Sequence, residues 1–398
     1  MTKYVFLPVP GYGHVNPTLP VARELVERGQ QVSYYLPEEF RPAIEATGAA
    51  FHSYQSLFNT VITMPVKAST MLAQFTVRES TFVLPQVIER IRAEQPDCIL
   101  YEWMSEWGGI VVRNLDVPAI MLHPILAHST QFIKGRIFTE ASAYVQDSGF
   151  VPFFEGINEQ FAELCHNYDV APFSILDLVE SGTTLNLVFL PKEFQLEHES
   201  LGQRFVFVGP AIETRPDAPE FPVAQLEGKK NLYISLGTLF NNQAPFFNLC
   251  FAAFKDTPWQ VVISLGPQVD PAELDPIPDN FLARPYVPQL EVLSHSSLFI
   301  SHCGMNSVME SLYYGVPLIG IPQMMEQQMT ASHIQELGLG IILDRHTITP
   351  HKLRAAVEQV MGDPTYLRRV QRMQQHTRNA GGYRYATDVI IDYAQTYQ

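Results

Sequence analysis

His14 is the first residue of this chain placed to do chemistry. It stands in VFLPVPGYGHVNPTLPVARELVERG, residues 5–29, in the turn between an apolar run and an amphipathic one. The turn begins like the G-x-G-x-x-G loop that admits a pyrophosphate, but Asn16 occupies the place of the third glycine. Imidazole titrates at about 6.5 when unperturbed, so a histidine in such a loop suits removal of a proton from a hydroxyl. The plain alternative is a loop histidine that packs or caps a helix.

A second constellation lies in FISHCGMNSVMESLYYGVPLIGIPQMMEQQ, residues 299–328. A strand ends at Ser301, a turn with Gly304 follows, and a helix runs to Gly315, a fitting C-terminal cap. The N–H groups of residues 304–307 then make an anion site, helped by roughly half a positive charge at the helix start. His302 adds a hydrogen bond to a diphosphate held there. Cys303 reads as a small turn residue, since nothing nearby lowers a thiol pKa. His52, His123, His128, His166 and His198 show no ligand spacing, and no tight D-x-D is present. No metal is therefore expected.

The elements that must position these residues alternate along both halves. Strands are expected at YVFLPV, QVSYYLP, DCILYE, PAIMLHP, TLNLVFLP and FVFVGP, and then at NLYISLGT, WQVVISLG, SLFISHCG, VPLIGIP and GLGIIL. With helices between them, they predict an α/β protein of two Rossmann-like domains with mostly parallel sheets. The expected organisation is a domain over 1–210, a linker over 211–230 rich in proline and charge, a second domain over 231–380, and a helix over 381–398. In the first helix Pro17 suits the first position, Leu19, Ala22, Leu25 and Val26 form an apolar face, and Gly29 suits the stop, which puts His14 just before a helix N-terminus. After a hinge at Gly381 and Gly382, Ala386, Val389, Ile390 and Tyr393 recur at helical spacing, and that helix is expected to cross back onto the first domain. Ligands of such sheets bind beyond the carboxyl ends of the strands, so both motifs should face one cleft.

Composition sets the outer bounds. A chain of 398 residues, 46% of them hydrophobic, suffices for two cores. A net charge of −15 argues against general binding to nucleic acid or anionic membranes. No stretch approaches the roughly 18 apolar residues of a bilayer span. The scattered Cys98, Cys165, Cys250 and Cys303 suggest reduced thiols, and a cytoplasmic location is expected. The oligomeric state is left open.

Together, HCGMNSVMES…GVPLIGIPQMMEQQ, the preceding YVPQLEVLSH and the N-terminal GYGHVNP resemble family 1 glycosyltransferases of the GT-B fold, above all the bacterial macrolide type. The likeness spans nearly the whole chain. It implies that His14 is the general base toward an acceptor hydroxyl, with Tyr12, Gly13 and Asn16 beside the acceptor. The family commonly places an aspartate at the end of a middle strand; Glu102 of DCILYEW stands there, one methylene longer, with Glu106 as a less favoured substitute. The likeness further implies that His302, Gly304, Asn306 and Ser307 bind a diphosphate, and that Glu310 grips the ribose. Glu326 and Gln327 would hold sugar hydroxyls, Tyr286, Val287 and Gln289 the base-side stretch, and Ser235, Gly237 and Thr238 a phosphate-proximal turn. The implied co-substrate is a UDP-sugar, with no other cofactor. The implied reaction is an inverting, metal-independent transfer of a hexose, glucose by expectation, to a macrolide, flavonoid or terpenoid. Residues 58–75 and 130–154, rich in aromatic and aliphatic side chains, are the expected acceptor lining, or else ordinary core. Against this stand a dTDP-sugar-dependent transferase of the same fold, a non-catalytic sugar-nucleotide-binding partner, and an NAD-dependent oxidoreductase with Glu38 as its ribose acid.

Overall fold

The computed structural model describes residues 1–58, 68–102, 104–127, 150–173, 184–213, 220–237 and 243–397. It divides into two units, Met1–Ala211 with Ala380–Gln398, and Ile212–Asn379.

Unit 1 is built on a seven-stranded sheet of β1 (Lys3–Leu7), β2 (Gln31–Leu36), β3 (Ala50–Ser53), β4 (Cys98–Glu102), β5 (Ala119–His123), β6 (Leu185–Val188) and β7 (Phe205–Phe207). All its pairings are parallel, in the order β3-β2-β1-β4-β5-β6-β7. Helices α1 (Tyr12–Val15), α2 (Leu19–Glu27), α3 (Arg41–Glu45), α4 (Ala68–Glu94), α5 (Glu106–Leu115) and α6 (Phe150–Asn167) connect the strands. Both faces of the sheet are covered, which is why β4 and β5 are apolar nearly throughout and buried at every position. The two-residue period of a strand sorts β1 between two cores. Val5 and Leu7 join Leu84 of α4 and Trp107 of α5, while Tyr4 and Phe6 join Leu25 of α2.

Unit 2 repeats the plan with β8 (Lys230–Ser235), β9 (Trp259–Ser264), β10 (Phe281–Arg284), β11 (Leu298–Ser301), β12 (Leu318–Gly320) and β13 (Gly340–Ile342), ordered β10-β9-β8-β11-β12-β13 and parallel throughout. Its helices are α7 (Ala244–Phe254), α8 (Gln289–Ser294), α9 (Met305–Tyr314), α10 (Met325–Glu336), α11 (Pro350–Gly362) and α12 (Pro364–Asn379). The last helix, α13 (Gly382–Gln395), packs with unit 1: Ala386, Ile390 and Ala394 enter the core that holds Leu25. Gly381 and Gly382 lead into it at φ +100° and +63°, and the Gly382 N–H donates to the Val208 carbonyl at 2.6 Å.

Three local features depart from expectation. β3 and β10 were not among the expected strands, and each is an edge strand of four residues. β3 reads AFHS, is only partly buried and carries no apolar run, while β10 reads FLAR, an apolar run of three residues cut short by Arg284. The third concerns His14, which lies inside the one-turn helix α1 rather than just ahead of a long helix. Pro17 sits in a 3₁₀ turn, Asn16–Thr18, and α2 begins only at Leu19, with Pro20 in its first turn. Gly29, at φ +78°, closes it as expected.

Candidate active site

The parallel register of β1 and β4 pairs Leu7 with Tyr101, so the chain beyond β1 and the last residue of β4 emerge side by side. That brings Nδ1 of His14 to 2.6 Å from Oε1 of Glu102. The second carboxylate oxygen accepts from the Val9 N–H at 3.4 Å. Glu102 is 1% exposed and the His14 side chain 16%, so the acid is sealed while the ring keeps an edge to solvent. A carboxylate against Nδ1 places the ring proton there and the basic lone pair on Nε2. His14 thus pairs with Glu102, while Glu106 lies buried in the first turn of α5. Tyr12 and Gly13 are exposed, the Tyr12 ring lying 5.0 Å from that of Phe40, and Asn16 is half-buried in the following turn.

In unit 2 the expected donor residues gather from adjacent strand ends. Ser301 at the end of β11 pairs with Ser235 of β8 on one side and Gly320 of β12 on the other. The turns after them converge on His302. A β-carbon built on Gly304 would lie 2.4 Å from its Nε2, and one on Gly237 would lie 2.5 Å away. Only glycine leaves room at either position, and Gly237 also takes φ +78°. Burial pushes the pKa of the His302 imidazole down to about 4, against a smaller upward pull from the Ser235 backbone. Gly304 is the N-cap of α9 and carries no side chain to satisfy the first turn, which holds Asn306 and Ser307. Cys303 takes φ +64° and is buried in the turn, with its thiol pushed up to about 12 by desolvation.

A hydrogen-bonded chain links the other donor residues. Tyr233 Oη donates to Gln289 Oε1 at 3.0 Å, and Gln289 Nε2 donates to Glu310 Oε2 at 2.5 Å and to Ser307 Oγ at 3.3 Å. Glu310 is only 4% exposed, so it is no ordinary solvent-facing helical acid. Tyr286 is 56% exposed, hence not core, with Val287 half-buried beside it. Glu326 and Gln327 open α10, and Gln327 Oε1 accepts from the Gln323 N–H at 2.9 Å.

Thr238 lies outside the described residues, as do residues 130–149 and 59–67 of the expected acceptor lining. Glu38 is engaged with Arg41 at 2.5 Å on an exposed turn, a poor arrangement for a ribose-binding acid. Among the described residues no cluster of His, Cys, Asp and Glu gathers to hold a metal, and no helix is long and apolar enough to cross a membrane. Sequence reasoning missed Tyr233. As one alternating strand residue among several it carries no separate signal; only the fold brings its hydroxyl to Gln289 at the start of α8.

The family model described as UDP-glucoronosyl and UDP-glucosyl transferase matches residues 154–379. The chain is 37% identical over 388 residues to the NDP-glycosyltransferase YjiC of Bacillus subtilis (strain 168), covering 96% of this chain and 95% of that one. It is 30% identical over 405 residues to demethyllactenocin mycarosyltransferase of Streptomyces fradiae, covering 98% and 86%. The crystal structure of CalG4, the calicheamicin glycosyltransferase, matches with a TM-score of 0.86 at 31% identity, over 99% of this chain and 98% of that chain.

Proposed function

Because the chain belongs to the UDP-glucoronosyl and UDP-glucosyl transferase family, glycosyltransferases of the GT-B fold, we propose that it moves glucose from UDP-glucose to a hydroxyl of an apolar natural product such as a macrolide, flavonoid or terpenoid. The sugar nucleotide is a co-substrate and the transfer is inverting and metal-independent. The observation that carries this reading is the 2.6 Å contact between His14 and the buried Glu102.

The acceptor O–H gives its proton to Nε2 of His14 as the oxygen forms a bond to the anomeric carbon. The bond from that carbon to the diphosphate breaks on the opposite face, and its electron pair leaves with the diphosphate. Glu102 holds the Nδ1 proton and offsets the charge of the imidazolium. The leaving diphosphate is met by the start of α9 and by His302, where preorganised N–H donors act without rearrangement. Glu310 and Gln289 take the ribose, Tyr286 stacks on the base, and Glu326 and Gln327 hold the sugar. The linker over 211–230 joins the acceptor-binding and donor-binding domains.

The acceptor class is supported by relatives whose names specify mycarosyl transfer to demethyllactenocin and glycosyl transfer to oleandomycin. A dTDP-sugar remains the second reading of the donor, because the relative from Bacillus subtilis is named for an unspecified nucleotide, and an exposed tyrosine face accepts uracil or thymine alike. The test is nucleotide release from UDP-glucose and dTDP-glucose over a panel of phenolic and macrolide acceptors. Acceptor-dependent UDP release, lost in His14→Ala, is expected; donor binding without release for any acceptor refutes the transfer.

A further inference from the structure

Gly11, the N-cap of α1, is closely flanked. A β-carbon built on it would lie 3.2 Å from Cδ2 of His14 and 3.6 Å from Cε1 of Phe58. The half-buried Phe58 ring and the imidazole therefore both border the space beside Gly11. β3 ends at Ser53 and the Tyr54 N–H still donates to the Leu36 carbonyl at 3.3 Å, but the ladder does not hold Ser56 to Phe58.

Glu79 of α4 does. Its Oε1 accepts from Ser56 Oγ at 2.5 Å and its Oε2 from the Leu57 N–H at 2.7 Å, while the Phe58 N–H donates to the same Ser56 Oγ at 3.0 Å. Three successive residues are thus tied to one acid that is itself 6% exposed. Burial raises the Glu79 carboxyl, so placing it there has a cost. Tyr54 and Trp107, ring centres 5.6 Å apart, are buried in the core behind this stretch, Trp107 on the helix that follows β4 and Glu102.

We infer that Phe58 is an acceptor-selecting residue beside the base, and that Glu79 is a positioning residue that clamps it in place. The inference rests on His14 as the base toward an acceptor. A hydroxyl delivered to His14 brings its carbon skeleton against the Phe58 ring, which rewards an apolar or aromatic skeleton and offers a polyol nothing. Removing an aromatic contact of this kind weakens association by about threefold to tenfold beyond the loss of buried area.

The experiment compares wild type, Phe58→Ala, Glu79→Ala, Glu79→Gln and the double alanine variant, with UDP-glucose as donor and a coumarin-type phenol as acceptor. Phe58→Ala should raise the acceptor KM roughly tenfold while the donor KM and acceptor-independent hydrolysis of UDP-glucose stay within about twofold. Glu79→Ala should show the same split. The double variant should match the worse single one, since both remove one feature. Glu79→Gln, whose amide accepts from Leu57 and donates to Ser56, should recover most of the loss.

An unchanged acceptor KM in Phe58→Ala, losses that multiply in the double variant, or donor and acceptor KM rising together would overturn the inference. If wild type transfers nothing, the base reading falls by itself. Calorimetric binding of the phenol then decides: a Kd weakened roughly tenfold by Phe58→Ala upholds the Phe58 contact, and an unchanged Kd refutes it.

Discussion

Nδ1 of His14 and Oε1 of Glu102 lie 2.6 Å apart although 88 positions separate them in the chain. Two parallel strands that end together produce this contact, and an arm of glutamate length completes it. Shortening that arm by one methylene withdraws the carboxylate by about 1.5 Å, beyond hydrogen-bond reach. Glu102→Asp should therefore lower kcat by about tenfold or more even though it keeps the charge. Glu102→Gln keeps the length but loses the charge, and should cost about tenfold to a thousandfold; His14→Ala should cost roughly 100- to 10,000-fold. Steady-state kinetics at saturating donor and acceptor measure all three, and a Glu102→Gln enzyme with more than half of the wild-type kcat would remove Glu102 from the mechanism.

Tyr233 fixes which end of the Gln289 amide faces Glu310, because its hydroxyl donates to Oε1 and leaves Nε2 for the carboxylate. Tyr233→Phe removes one donor from a part-buried network, worth about 0.5–1.5 kcal/mol. The donor KM should rise by about twofold to tenfold, with kcat at saturating donor unchanged. A fall in kcat at constant donor KM would contradict this arrangement.

Gly237 and Gly304 each press an α-carbon toward Nε2 of His302. A methyl group at either place displaces an enclosed ring, and at Gly237 it also meets φ +78°, which costs an L-residue about 1–2 kcal/mol. Gly304→Ala should weaken UDP binding at least about tenfold in calorimetry, because the ring and the start of α9 no longer meet one ligand. Gly237→Ala should show the same weakening together with a lower thermal midpoint. Wild-type affinity in both would mean that His302 does not touch the diphosphate.

How far all this was legible in the sequence depended on enclosure. The central strands were readable because both faces are buried, and runs such as CILYE and AIMLH stay apolar for that reason. β3 is only partly buried and β10 is an apolar run of three residues cut short by Arg284, and neither left a mark. The turn motifs marked loops that the fold does bring to strand ends, but Pro17 suggested a helix start where the chain inserts a 3₁₀ turn, since proline suits both. The burial of Glu310 could not be read from a lone acid in an amphipathic stretch, because it depends on Gln289 arriving from another strand end. The grip of Glu79 on Ser56 and Leu57 is likewise a matter of where α4 passes, 22 to 23 positions further along the chain.

His123, at the end of β5, supplies the pH test. It is 1% exposed, its Nε2 meets Asn186 Oδ1 at 2.9 Å, and burial lowers its pKa to about 4 against the pull of Glu102. In the unfolded chain the same ring titrates near 6.5. Between those values the unfolded chain binds the extra proton, so stability is fully present above about pH 6.5 and is lost as pH falls toward 4. His302 acts in the same direction in unit 2. Urea unfolding at pH 7 and at pH 4.5, with wild type against His123→Gln, isolates the contribution of one ring. The advantage of wild type should shrink by up to about 1.4 kcal/mol for each pH unit below 6.5, because glutamine has no proton to take up. An advantage that stays constant across that range would show that His123 is not held neutral in the folded protein.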